Sequence, residues 1–215
     1  MAPGFLNRIE AGRALAKRLG VLDPNNNVIF ALPRGGVPLA AEIAAPNGVP
    51  LDLLLVRKIG APGHEELAIG AVVDGEAPEI VVNKQIADQF GLSEDEVREL
   101  SSKGLEEIER RRKTYLNNRP PLPVKGKTAI VVDDGIATGA TVKAALKSLA
   151  KRNPARIVLA VPVAPAEVIA SLKDYADEII CLETPFPFYA VGAHYRDFPQ
   201  VDDAAVLDAL KTSTS

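Results

Sequence analysis

The sequence predicts an α/β domain in which a parallel β-sheet is flanked by helices, and three observations carry that prediction. Short, largely apolar runs at residues 28–32, 51–56, 129–132, 157–163 and 178–182 have the length and hydrophobicity of strands covered on both faces. Most are followed by a stretch with helical spacing, and strand–helix alternation argues right-handed crossovers between parallel neighbours. Two of the runs end in glycine-bearing polar loops, where open α/β sheets place their ligands.

In chain order, Asn7 and Glu10 form a capping box that opens a helix running to Leu19 and stopping at Gly20. Residues 23–27, Asp-Pro-Asn-Asn-Asn, are a loop by composition. The first strand, 28–32, leads into Pro33-Arg34-Gly35-Gly36 and a helix over 37–45. Arg34 offers a fixed charge and a donor fork for phosphate oxygens, and Gly35 and Gly36 let backbone approach closely. The strand 51–56 ends in two adjacent cations, Arg57 and Lys58, followed by a Gly/Pro-bearing segment, 59–66, with the character of a mobile loop. His64, without a visible partner, reads as solvated. Residues 65–73 return as a strand, with 80–82 its hairpin partner across Asp74-Gly75.

Residues 83–123 form a helical insertion. Ser93 and Glu96 make a second capping box, Val97, Leu100, Ile108 and Tyr115 recur at helical spacing, and acidic residues give way to Arg110-Arg111-Arg112-Lys113 in the order the helix dipole favours. This helix is either a charged outer face or an arm that brings an arginine to the site. The prolines at 120, 121 and 123 stop it. The strand 129–132 then delivers Asp133-Asp134-Gly135-Ile136-Ala137-Thr138-Gly139-Ala140-Thr141, an acidic pair and a small-residue loop opening a helix over 141–151. Carboxylates are acceptors suited to a vicinal diol, whereas Thr138, Thr141 and helix-opening amides are donors suited to a phosphate. Neither a Walker A loop nor a dinucleotide G-x-G-x-x-G is present. A strand at 157–163, a helix at 165–172, a strand at 178–182 and a closing helix at 203–211 complete the order. Half of the ten aromatic residues fall between 186 and 198, as either a hydrophobic cluster or a stacking surface.

The run from Ala129 to Thr141 resembles the phosphoribosyl pyrophosphate (PRPP) signature of type I phosphoribosyltransferases, and Pro33 to Gly36 resembles their pyrophosphate loop. Within that family the chain resembles a bacterial group with a helical insertion, whose acceptor is not established. The resemblance implies one phosphoribosyltransferase-like domain over residues 1–215, with a flexible loop, the insertion at 83–123 and a small C-terminal hood at 184–201. It implies that Asp133 and Asp134 hold the ribose hydroxyls and that Gly135, Ile136, Ala137, Thr138, Gly139, Ala140 and Thr141 wrap the 5′-phosphate. Arg34, Gly35, Gly36, Arg57 and Lys58 would hold pyrophosphate, with a non-proline cis peptide beside Arg34. Phe188, Tyr189 and Asp197 are the implied acceptor contacts. Asp133, Asp134, Arg34 and Lys58 are the implied catalytic set, with Mg²⁺ held mainly through PRPP and waters and through the two aspartates. The implied reaction moves the 5-phosphoribosyl group from PRPP to a nucleobase-like or other nitrogenous acceptor, within nucleotide metabolism. A PRPP- or nucleotide-binding regulator of little activity is the alternative, and a homodimer is the expected assembly.

Composition narrows the classes further. The chain is 47% hydrophobic and 25% charged with a formal net charge of −3, so it has no global basic footprint for nucleic acid. No run reaches the length of a membrane span and no signal core opens the chain, which predicts a cytoplasmic protein without a membrane partner. The single cysteine, Cys181, reads as a small buried residue.

Overall fold

A computed structural model describes residues 4–74, 78–117 and 119–212. Its centre is a five-stranded parallel sheet in the order β2-β1-β6-β7-β8, made of β1 (Asn27–Ala31), β2 (Leu51–Leu53), β6 (Thr128–Val132), β7 (Arg156–Val163) and β8 (Glu178–Glu183). Its inner strands are buried on both faces, and successive residues go to opposite sides. Ile29, Ala31, Ile130 and Val132 face the cluster formed with α1 (Arg8–Leu19) and α2 (Gly36–Ala44). Val28, Phe30, Ala129 and Val131 face α5 (Ala140–Lys151), and α6 (Ala166–Leu172) joins that side through the buried Leu172. The parallel, doubly covered sheet expected from the sequence is therefore present.

One strand divides where the sequence suggested continuity. The apolar run 51–56 contributes only β2 to the central sheet; after Leu54 and Leu55 the chain enters a separate antiparallel sheet of β3 (Val56–Ala61), β4 (His64–Val73) and β5 (Glu79–Val82). The segment 59–66, expected as a loop, is largely the β3–β4 hairpin, with Ala61 opposite His64 and Gly63 at φ 73° in the turn. Its Pro and Gly mark a tight turn because alternating Ile59, Ala61 and Ile69 can be buried on one face. His64 is exposed, with its ring 5.9 Å from that of Phe90. The β4–β5 pairing matches expectation, with Val72 opposite Ile80, while the expected turn at Asp74-Gly75 runs into residues outside those described.

The insertion contains a short helix not foreseen, α3 (Lys84–Gln89), capped by Asn83, and then α4 (Glu94–Leu116) with the Ser93–Glu96 capping box in place. α4 covers the face of the antiparallel sheet that bears Ile59, Ile69 and Val72, and α5 covers the face that bears Ala71 and Val73. The chain returns from α4 under the control of Asp52, which is 1% exposed and accepts from Arg119 Nη2 at 3.0 Å and from the Leu122 N–H at 2.7 Å. Cys181 is half-buried, and burial pushes its thiol pKa up. The last helix, α7 (Asp203–Thr212), packs on α2. No helix among the described residues is long and apolar enough to cross a membrane.

Candidate functional site

Strands β1 and β6 are parallel neighbours with Ala31 opposite Val132, so the loops at their carboxyl ends leave the sheet side by side. Leu32 N–H donates to the Val132 carbonyl at 2.9 Å, and the chain then turns through a cis Pro33–Arg34 peptide, as expected beside Arg34. The next two positions need glycine because of what lies against them. A Cβ on Gly35 would stand 2.5 Å from Asp134 Cγ, and one on Gly36 would stand 2.5 Å from the Val132 carbonyl oxygen. The candidate pyrophosphate loop and the acidic pair are thus in direct contact.

Asp133 and Asp134 sit at the rim of the sheet with their carboxyls withdrawn from water. Asp133 Oδ1 accepts the Asp134 N–H at 2.9 Å. Burial first, and the neighbouring Asp134 charge second, raise the Asp133 pKa well above the usual carboxylate value. Burial also raises Asp134, opposed by Arg8. Arg8 opens α1 and was not singled out by sequence reasoning. Its Nε lies 2.8 Å from Asp134 Oδ2, its Nη1 donates to the Pro199 carbonyl at 2.7 Å, and its Cζ stands 3.7 Å from the centre of the Phe198 ring. Tyr195 donates its hydroxyl to the Asp134 carbonyl at 2.6 Å, and its ring stacks on Phe198 at 4.7 Å. Burial pushes the Tyr195 pKa up, which keeps it a donor. A cavity of about 470 Å³ opens here, lined by Arg8, Arg34, Gly35, Asp134, Val191, Phe198, Pro199, Gln200 and Val201.

The loop after Asp134 is divided between structure and exposure. Gly135 and Ile136 are buried, and the Ile136 N–H donates to the Val163 carbonyl at 3.0 Å, so Ile136 anchors the loop instead of lining it. Ala137, Thr138 and Ala140 are exposed, Gly139 turns at φ 78°, and α5 starts at Ala140 with its opening amides directed at the loop. Of the run expected to wrap a phosphate, Gly135 to Thr141, the loop thus exposes residues 137, 138 and 140, while the Ile136 amide is used internally.

Other expected contacts are redistributed. Arg57 and Lys58 are consecutive on β3, so they point to opposite faces of the antiparallel sheet. Arg57 lies toward Gly104 of α4, whereas Lys58 lines a cleft beside α5 and is not among the residues around Arg34. The pair cannot act together on one pyrophosphate. Phe188 stacks on His194 with ring centres 5.0 Å apart, Tyr189 is 84% exposed, and Asp197 is exposed on a segment whose amide donates to Leu6. None of the three lines the cavity at Asp134; Phe198 and Val191 take that place. The hood is held instead by pairing of residues 5 and 6 with 194–197. Arg112 reaches Asp74 at 3.4 Å, and it is Arg110 that approaches the site: its Nη1 lies 3.5 Å from Asp203 Oδ2, while Arg34 Nη1 lies 3.7 Å from Asp203 Oδ1. Tyr115 donates its hydroxyl to the same carboxylate, and burial is the main reason its pKa rises to about 12. A buried arginine at a helix start and an aspartate opening the last helix carry little signal in sequence, because their partners are more than eighty residues away.

The chain is similar to known proteins over most of its length. The phosphoribosyl transferase domain model matches residues 6–197. The crystal structure of TT1426 from Thermus thermophilus is 39% identical and superposes with a TM-score of 0.81 over 96% of this chain and 97% of that one. A Mycobacterium tuberculosis protein provisionally named a phosphoribosyl transferase is 43% identical over 206 residues, which is 96% of this chain and 46% of the relative. The chain therefore spans about half the length of that relative. The bifunctional protein PyrR of Chloroflexus aurantiacus is 39% identical over 131 residues, 60% of this chain and 65% of that protein.

Proposed function

Since the chain belongs to the phosphoribosyl transferase family, we propose that it transfers the 5-phosphoribosyl group of PRPP to a nitrogenous acceptor and releases pyrophosphate. The observation that carries this reading is the contact between Gly35 and Asp134, which sets a cationic, glycine-bearing loop against the acidic pair. A ligand with a diol between two phosphate-bearing arms matches that order. Asp133 and Asp134 accept from the ribose hydroxyls, Thr138, Thr141 and the amides opening α5 donate to the 5′-phosphate, and Arg34 donates to the pyrophosphate. As the anomeric C–O bond breaks, positive charge grows on the sugar, and the buried carboxylates and the fixed guanidinium stabilise the two separating charges.

The donor set suits Mg²⁺, because Asp133 and Asp134 are hard oxygen ligands whose crowded negative charge a cation relieves. The ion would be held chiefly by substrate oxygens and water beside these two carboxylates. When bound it would neutralise developing charge on pyrophosphate.

A second reading, a PRPP- or nucleotide-binding regulator, draws support from the pairing of Arg34 with Asp203 and of Asp134 with Arg8, and from the position of Lys58 away from the Arg34 cavity. The test is incubation with PRPP, Mg²⁺ and a panel of purine, pyrimidine and other nitrogenous acceptors, with release of pyrophosphate measured. Acceptor-dependent release that is lost in Asp134→Asn supports transfer. PRPP binding without turnover on any acceptor replaces it with the regulatory reading.

A further inference from the structure

The cleft between α5 and the antiparallel sheet gathers positive charge from several elements. It encloses about 510 Å³ and is lined by four lysines from three different elements: Lys58 of β3, Lys84 of α3, and Lys143 and Lys147 of α5. Among the described residues no aspartate or glutamate lines it, although the whole chain carries a net charge of −3. Several arginines elsewhere are matched, as in Arg8–Asp134, Arg13–Glu42, Arg111–Glu107 and Arg119–Asp52. Among the described residues none of the four lysines forms an ion pair with a carboxylate. Lys143 and Lys147 instead stand over one aromatic ring, their Nζ atoms 4.7 and 5.3 Å from the centre of Tyr175. A ring face holds an ammonium group in place without neutralising it. Positive charge converging on one cleft, positioned yet uncompensated, is a site that an anion completes.

We propose that this cleft is a second anion site, which binds the polyphosphate group of a small phosphorylated molecule. Its size is within the usual range for small-molecule sites, and its floor of Gly70, Ala71, Val81 and Val82 leaves the lysines as the main source of recognition. It shares no lining residue with the Asp134 cavity. Ala140 borders the cleft and also opens the helix behind the phosphate loop, so a ligand here rests against the element that carries the candidate catalytic cradle. A nucleic-acid strand suits it less well, because such partners need an extended basic track with free stacking faces, and the Tyr175 face is taken by its two lysines.

The test is calorimetric titration of inorganic tripolyphosphate into the full chain carrying Arg34→Gln, which removes the guanidinium expected to hold pyrophosphate at the other site. One bound tripolyphosphate per chain is expected, weakened at least about tenfold by the double change Lys143→Gln and Lys147→Gln and by roughly three- to fivefold by Lys84→Gln. Raising the salt concentration should weaken it further. Lys84 lies on a different element from the α5 pair, so it tests the site even where the double variant melts early. ATP bound through the same lysines assigns the site to nucleotides, and tripolyphosphate bound without ATP assigns it to inorganic polyphosphate. Absence of tripolyphosphate binding, binding indifferent to these lysines, or lysine-dependent binding of an RNA oligomer alone overturns the proposal.

Discussion

Replacing Arg8 by Gln should disable the candidate site and destabilise the fold, with the two effects separable by pH. Arg8 Nε and Asp134 Oδ2 are 2.8 Å apart, with side chains only 10% and 15% exposed, so the pair is largely desolvated. Removing one partner of a buried pair costs about 3–5 kcal/mol because the other charge stays behind. Asp134 lines an open cavity, where water can partly replace the guanidinium, so a cost at or just below the bottom of that range, roughly 2–3 kcal/mol, is expected. In a chain of this size that lowers Tm by about 5–10 °C. Burial already raises the Asp134 pKa while Arg8 opposes it. Without Arg8 the folded variant holds its proton more firmly still than the unfolded chain, so the penalty applies only where the unfolded carboxyl is ionised. The deficit should be complete at pH 7, shrink as pH falls through the raised folded pKa, and nearly vanish below the unfolded value of about 3.9. Scanning calorimetry of both proteins from pH 7 to pH 4 measures it. A deficit that stays constant across that range would refute the ion-pair argument and assign the loss to packing of the guanidinium on Phe198, 3.7 Å away. Combination with Asp134→Asn should recover part of the lost stability, since the stranded charge is gone.

Three further outcomes follow from the same geometry. Gly35→Ala places a Cβ 2.5 Å from Asp134 Cγ, so the carboxylate must leave Arg8; PRPP binding by calorimetry should fall at least about tenfold and stability by about 1–3 kcal/mol, and unchanged binding contradicts the loop contact. Asp133→Asn keeps the acceptor for the Asp134 N–H but removes a carboxyl that burial holds at a raised pKa; it should stabilise the protein by about 1 kcal/mol at pH 7, with the gain disappearing toward pH 4, while PRPP binding weakens. Asp203→Asn releases Arg34 from a carboxylate 3.7 Å away and removes negative charge near the candidate pyrophosphate loop; pyrophosphate should bind about three- to fivefold tighter, and weaker binding would show that Asp203 holds Arg34 in its working position.

The parts of this molecule that could be read from sequence are those whose causes are local. Largely apolar runs marked the central strands, Ser93 and Glu96 announced their helix three residues ahead, and the acidic pair with its small-residue loop announced a strand-to-helix junction within thirteen residues. What the sequence hid depends on register or on distance. Arg57 and Lys58 look like a double cation, but a strand's two-residue period sends one toward α4 and the other toward α5, and only recognition of β3 as a strand separates them. Pro62-Gly63 has the composition of a loop, and it took the paired burial of Ile59 and Ile69 across the turn to make a hairpin of it. The aromatic crowding at 186–198 was legible as a cluster, but which rings reach the cavity was not. That choice is made by residues 5 and 6 pairing with 194–197 and by Arg8 lying over Phe198, contacts that span almost the whole chain.

The same distinction explains how the ends of the chain come to serve the site. The two loops from β1 and β6 bring the candidate site together, yet two of their charged groups are met by residues from elsewhere: Asp134 by Arg8 of the first helix, and Arg34 by Asp203 of the last. The insertion enters through Tyr115 and Arg110, both of which contact Asp203. A carboxylate that gathers the first-strand loop, the insertion and the closing helix gives that helix a part in setting the charge on Arg34. In the proposed arrangement the insertion acts on the leaving-group side of the site, whereas the N-terminal helix acts on the sugar side through Arg8. Changes at Tyr115 or Arg110 should accordingly alter pyrophosphate affinity through Asp203, and changes at Phe198 or Tyr195 should alter the environment of Asp134.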